Sequence, residues 1–295
     1  NHLAYSGSGG GGRARIHRRI DRRFDSDRSV EMGRSNTITI DLTTRLPAPM
    51  NLVSITLNSA VQLSWSGNSV QADPEAFDHY RIYSAEYNSA RGTCVEPWYF
   101  EGSTVSDAFF VGNLTNGSSR CFAVSAVSHD GHESTWSNAR VDTPRPDAKS
   151  VMMYVAETKA DSAAFVFNDE ILGRLGIVAS INRADADFAL NRHTDGTIWL
   201  TPARVGVAVR AYTAASIADL TVIDRAPASG YQSTSIQVQA GVGYVFKVDE
   251  ANGTHYAAVR SFFSGSDMLV FDWAYQIGIG NPELTVGVGG MTIKP

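Results

Sequence analysis

Cys121-Phe-Ala-Val-Ser-Ala-Val127, followed by Asp130-Gly-His-Glu-Ser134, decides the fold of the middle of this chain. The first run alternates, so Phe122, Val124 and Ala126 fall on one face of a strand, with Cys121 on the other. The second is a turn whose glycine supplies the positive φ such a reversal needs. Upstream, Leu63-Ser-Trp65 and His79-Tyr-Arg-Ile-Tyr83 repeat the alternation, which sets Leu63, Trp65, Tyr80 and Ile82 against the same core. Short β-type runs at 61–65, 80–85, 98–101, 108–111, 120–127 and 135–141 are separated by turn signals, the pattern of a β-sandwich.

Working outward, Leu46-Pro-Ala-Pro49 and Thr143-Pro-Arg-Pro146 brace this unit at both ends. They divide the chain into an arm, 1–46, a sandwich, 47–146, and a C-terminal unit, 147–295. The last contains some ten further β-type runs and no long helical pattern, so a second all-β domain is expected, a sandwich or a partly closed barrel. The arm begins with Ser6-Gly-Ser-Gly-Gly-Gly-Gly12, a composition that is flexible when free. Ile16, Ile20 and Phe24 then recur every four residues among Arg13, Arg15, Arg18, Arg19, Arg22 and Arg23, which predicts an amphipathic helix with a basic face. A short strand follows at 38–42. Ordering such an arm costs about 1–2 kcal/mol per residue in backbone entropy, so a partner subunit is expected to supply the contacts.

The order and spacing of Leu63-Ser-Trp65, His79 to Tyr83, Asn113-Leu-Thr-Asn-Gly117, the Cys121 strand and the Asp130 turn resemble fibronectin type III domains. The resemblance covers about a third of the chain and implies packing roles for these residues. It departs from the family at Arg120, where such domains place the tyrosine that locks a corner. A bond between Cys94 and Cys121 would replace that lock by stapling a long connection to the outside of the sheet. The C-terminal stretches Gly241 to Lys247, His255 to Arg260 and Val270 to Gln276 resemble uncharacterised bacterial exported proteins and, more faintly, the HmuY-like family. Haem ligation is not carried over, because His193 and His255 are read as isolated surface residues.

With 43% hydrophobic and 19% charged residues the composition is that of a globular protein, and no stretch approaches the roughly 18 apolar residues of a membrane-spanning helix. The net charge of −5 hides the arginine-rich arm, beyond which the chain is more acidic. A first residue other than Met is read as a processed end, so export is expected, to the periplasm or the exterior and peripheral to a membrane. In an oxidising compartment Cys94 and Cys121 are expected to pair, the alternative being two separate thiols.

Candidate chemistry is sparse. His129, Asp130, His132 and Glu133 offer metal-capable groups within five residues, but the turn explains them and no distant ligand completes a site. Asp185 and Asp187 lack the glycine and closing glutamate of a calcium loop and are read as solvated carboxylates. Neither a phosphate-binding loop nor a nucleophile elbow is present. No cofactor and no catalytic residue is expected.

These readings converge on a non-catalytic accessory subunit whose arm docks on a larger protein complex, with contact to a membrane surface. Interleaved Asp21, Asp25 and Asp27 argue for an acidic protein surface and against nucleic acid as the partner of the arginines. A bacterial photosynthetic reaction-centre and antenna complex is one candidate host. The alternatives are a glycan-binding module using Trp98, Tyr99 and Trp136, or a carrier of haem or another small ligand using the C-terminal domain.

Overall fold

The computed structural model describes residues 46–284 in full and, outside that range, the backbone of four strands. In chain order the strands are β1 (His2–Ser6), β2 (Arg13–Arg19), β3 (Ile38–Asp41), β4 (Met50–Leu57), β5 (Ala60–Ser66), β6 (Phe77–Asn88), β7 (Thr93–Thr104), β8 (Ala108–Val111), β9 (Arg120–Ser128), β10 (Ala139–Asp142), β11 (Asp147–Tyr154), β12 (Ala164–Asp169), β13 (Arg174–Ala179), β14 (Phe188–Arg192), β15 (Ile198–Pro202), β16 (Val207–Ala211), β17 (Ile236–Gln237), β18 (Gly243–Glu250), β19 (Gly253–Ser264), β20 (Met268–Gln276) and β21 (Thr292–Ile293). The helices among the described residues are single turns, such as Asn68–Ala72 and Ala156–Lys159, so none is long and apolar enough to cross a membrane.

The first sandwich packs the sheet β4-β5-β8 against β21-β10-β9-β6-β7. Leu63 and Trp65 on β5, Tyr80 and Ile82 on β6, and Phe122, Val124 and Ala126 on β9 close one core, as the alternation predicts. Trp65 meets Tyr80 edge to face at 5.2 Å, the geometry favoured by aromatic quadrupoles. One strand inverts the usual polarity. On β4, Ser54 and Thr56 are buried while Val53, Ile55 and Leu57 are partly exposed. The reason lies on β10, where Asp142 accepts from the Thr56 hydroxyl at 2.6 Å and Arg140 Nε donates to Ser54 Oγ at 2.9 Å.

The second sandwich packs β11-β20-β19-β18-β16 against β13-β12-β14-β15-β17, and neither sandwich closes into a barrel. Its core is aromatic: Phe165, Phe167, Phe188, Phe246, Phe271, Trp273 and Tyr275 interlock. The segment between the sandwiches is buried from Thr143 to Pro146. Arg145 donates to the Leu284 carbonyl and pairs with Asp147 at 3.3 Å, and Tyr275 N–H donates to the Pro146 carbonyl at 3.0 Å.

The N-terminal region differs from its expected helix. Arg13–Arg19 is the central strand of a three-stranded antiparallel sheet, β1-β2-β3. Its four-residue apolar spacing is a local signal only, and ladder bonds to two neighbouring strands override it.

Candidate partner-binding surfaces

In β2, Ile16 lies opposite Tyr5 of β1 and Ile38 of β3, and Arg13 and Arg15 lie opposite Asp41 and Thr39. Because strand residues alternate between faces, Arg13, Arg15 and Arg19 share one face and Ile16 and Arg18 the other. Ile20, Arg22, Arg23 and Phe24 lie outside the described residues, as does the glycine run.

A second surface is the outer face of the larger sheet of the first sandwich. Cys94 and Cys121 form the expected disulfide there, with Cα atoms 5.9 Å apart, over Ala85, Tyr87 and Trp98. Beside it Tyr83 stacks on Trp136 at 4.5 Å, and Trp98 meets Trp136 edge to face at 5.1 Å. The two indole planes stand at 74° and both are partly buried, so Trp98 and Trp136 do not share one flat platform. Tyr99 and Phe100 are the more exposed aromatics, at 51% and 59%.

Glu133 holds this face together, accepting from Arg81 Nη1 at 3.0 Å, Tyr83 OH at 2.8 Å and Ser125 Oγ at 2.6 Å. Burial pushes its carboxyl upward, but these three donors outweigh it and leave it below the usual range. Glu133 is therefore engaged within the fold. His132 pairs with Asp130 at 3.0 Å and His129 with Asp78 at 3.3 Å. Gly131 adopts φ +83°, as the turn reading requires. Arg120 occupies the corner position and donates to the buried Ser84 hydroxyl at 2.6 Å, while that hydroxyl donates to Glu101.

A third cluster, at one end of the second sandwich, escapes sequence reading. Asp187 is buried, not solvated: its carboxylate accepts from the Phe167 amide at 2.7 Å and from Arg204 Nη2 at 2.7 Å. Burial, with Glu250 adding to it, raises its carboxyl to about 6 against the pull of Arg204. Glu250 accepts from Tyr275 OH at 3.1 Å, and its other oxygen lies 3.6 Å from His255 Nε2. His255 is also buried, contrary to its expected surface position, with Nδ1 3.2 Å from the Gln276 carbonyl. Nε2 lies 3.2 Å from Asn252 Oδ1, so both ring nitrogens have partners within the fold. The other histidine, His193, stacks on Trp199 at 4.2 Å. These groups come from five separate segments, so no local motif announces them.

No protein-family model matches the chain. No curated protein matches it either. Among solved structures, the FN5 domain of Drosophila Lar is 21% identical with a TM-score of 0.26, over 33% of this chain and 95% of its own. A Fn3-like protein from Clostridium thermocellum is 20% identical with a TM-score of 0.25, over 32% and 91%. A DUF4466 family protein from Parabacteroides merdae is 10% identical with a TM-score of 0.37, over 76% of this chain and 94% of its own. Strand order and core define the class here: a fibronectin type III-like sandwich followed by a second all-β sandwich.

Proposed function

We propose that this chain is a non-catalytic, exported accessory subunit that docks through its N-terminal sheet on an acidic surface of a larger, membrane-associated protein complex. The observation that carries this reading is the placement of Arg13, Arg15 and Arg19 on one face of the central strand of a sheet that, among the described residues, pairs with neither sandwich. Nine arginines stand against five carboxylates in residues 1–46, so this region is basic within a chain of net charge −5. A cationic face of that kind steers and orients an acidic partner. The Cys94–Cys121 bond supports an oxidising compartment such as the periplasm. A bacterial reaction-centre and antenna complex is one host with such a membrane-peripheral surface.

Native purification tests this directly. The full chain is expected to co-migrate with its host complex, and deletion of residues 1–34 to abolish that. Arg13→Glu, Arg15→Glu and Arg19→Glu together should weaken the association and flatten its salt dependence. Unchanged co-migration of the deleted chain would overturn the proposal.

A further inference from the structure

The registers of β1, β2 and β3 sort the N-terminal sheet into two unlike faces. Residues directly opposite each other in an antiparallel pair lie on the same face. Tyr5, Ile16 and Ile38 form one row across the three strands, Ala14 lies opposite Ile40 in the next, and Leu3 lies opposite Arg18. One face therefore collects Leu3, Tyr5, Ala14, Ile16, Ile38 and Ile40, with Arg18 as its polar exception. The other face carries the arginines discussed above. A sheet that is apolar on one face buries that face against another element in a stable fold.

The first sandwich offers a complementary face. Its three-stranded sheet turns Val53, Ile55 and Leu57 outward, because the inward positions of β4 go to Ser54 and Thr56. In the β4-β5-β8 register, Ile55, Gln62 and Phe110 form one row, and Phe110 is 58% exposed. Exposed Phe110 beside half-buried Val53, Ile55 and Leu57 makes this an apolar face, the kind of surface that marks a contact site.

We propose that the N-terminal sheet packs its apolar face onto the outer face of β4, β5 and β8, making a third layer that leaves Arg13, Arg15 and Arg19 outward. Chain continuity selects this occupant. Asp41 ends β3, and Leu46 is anchored in the first core five residues later, a tether of at most about 18 Å. Both layers are three strands wide, about 10 Å between outer strand axes, and β2 is about 23 Å long. Gln62 and Ser64 supply polar positions on the seat where Arg18 must be accommodated. This packing does not depend on the docking reading, since it is made within one free chain, but it fixes which face that docking would use.

The test is paramagnetic broadening in the isolated full chain. Both native cysteines are in the disulfide, so a nitroxide placed by Gln62→Cys labels the centre of the seat alone. The amide peaks of Ala14, Ile16, Ile38 and Ile40 are expected to be lost and to return on reducing the label, whereas a label at Asp195→Cys leaves them intact. Phe110→Asp, at an exposed position, should accelerate amide exchange in β1 to β3 without unfolding the sandwich. Persistence of the peaks under the Gln62 label, or unchanged exchange in Phe110→Asp, would overturn the proposal. So would broadening that appears only when isotope-labelled chains are mixed with separate spin-labelled ones, which would make a second copy the occupant.

Discussion

Both sandwiches bury a central strand on both faces, yet they cover its outer side by different means. In the first, all but Arg120 of β9 is buried, and the cover is made of side chains: the Cys94–Cys121 disulfide, Trp98, Trp136, Tyr83 and the Glu133 bonds. In the second, the outward row Val245, Ala258 and Ala274 lies under Ile217, Leu220, Ile223, Ala226 and Leu284, contributed by connecting chain. Asp224 ties that cover down, accepting from Tyr212 OH at 2.9 Å and offering its backbone carbonyl to the Leu284 amide at 2.9 Å. A cover of side chains keeps the loops short and leaves aromatics at the surface. A cover of chain hides the sheet but depends on packing contacts that are distant in sequence.

The contrast can be broken from either side. Ile223→Asp places a carboxylate at a fully buried position in the chain cover, and a loss of about 4 kcal/mol is expected, confined to the second sandwich. Urea unfolding followed by amide exchange checks this, with protection lost first in β18 and β19. A loss below about 1 kcal/mol would mean that the segment lifts away at little cost and is not a structural cover. Cys94→Ala with Cys121→Ala opens a crosslink spanning 27 residues and should cost the first sandwich about 3 kcal/mol. The second sandwich should unfold as before, and near-ultraviolet dichroism from Trp98 and Trp136 should diminish.

The same contrast explains what was legible in the sequence. Leu63, Trp65, Tyr80, Ile82, Phe122, Val124 and Ala126 announce the first core because a two-residue period is a local property. In the cover of the second sandwich, the apolar run Leu220 to Ile223 reads as a strand, whereas Leu220–Val222 is a 3₁₀ turn whose start is capped by the Asp219 carboxylate on the Thr221 amide. A four-residue apolar run does not distinguish a strand from a buried loop. β13 carries no clear strand signal in the sequence, because Gly176 interrupts its apolar pattern. Gly176 has φ +66°, and a Cβ there would stand 1.9 Å from the Trp273 ring, so the glycine serves a close approach that only the fold reveals. The arginines of β2 were identified by charge, but their conformation was not, since Ile16 and Ile20 fit a helical spacing and β2 owes its form to β1 and β3.

The smallest of the three effects separates two carboxylates that each hold an arginine. Glu133 has three donors and lies below the usual range, whereas Asp187 is raised to about 6 because burial and Glu250 outweigh Arg204 and the Phe167 amide. For Asp187 the folded state binds its proton more tightly than the unfolded state does, so folding takes up a proton between about pH 6 and the unfolded value near 4. Its linkage term therefore stabilises the second sandwich as pH falls through that window and vanishes above it, the reverse of a salt-bridged aspartate with a depressed value. Asp187→Asn removes the titration while keeping the shape. The stability of the parent chain relative to this variant should rise by about 2 kcal/mol between pH 7 and pH 4, measured by urea midpoints. A difference independent of pH would show that Arg204 compensates the burial in full. A difference that falls toward acid would place Asp187 with Glu133, as a carboxylate held charged by its donors.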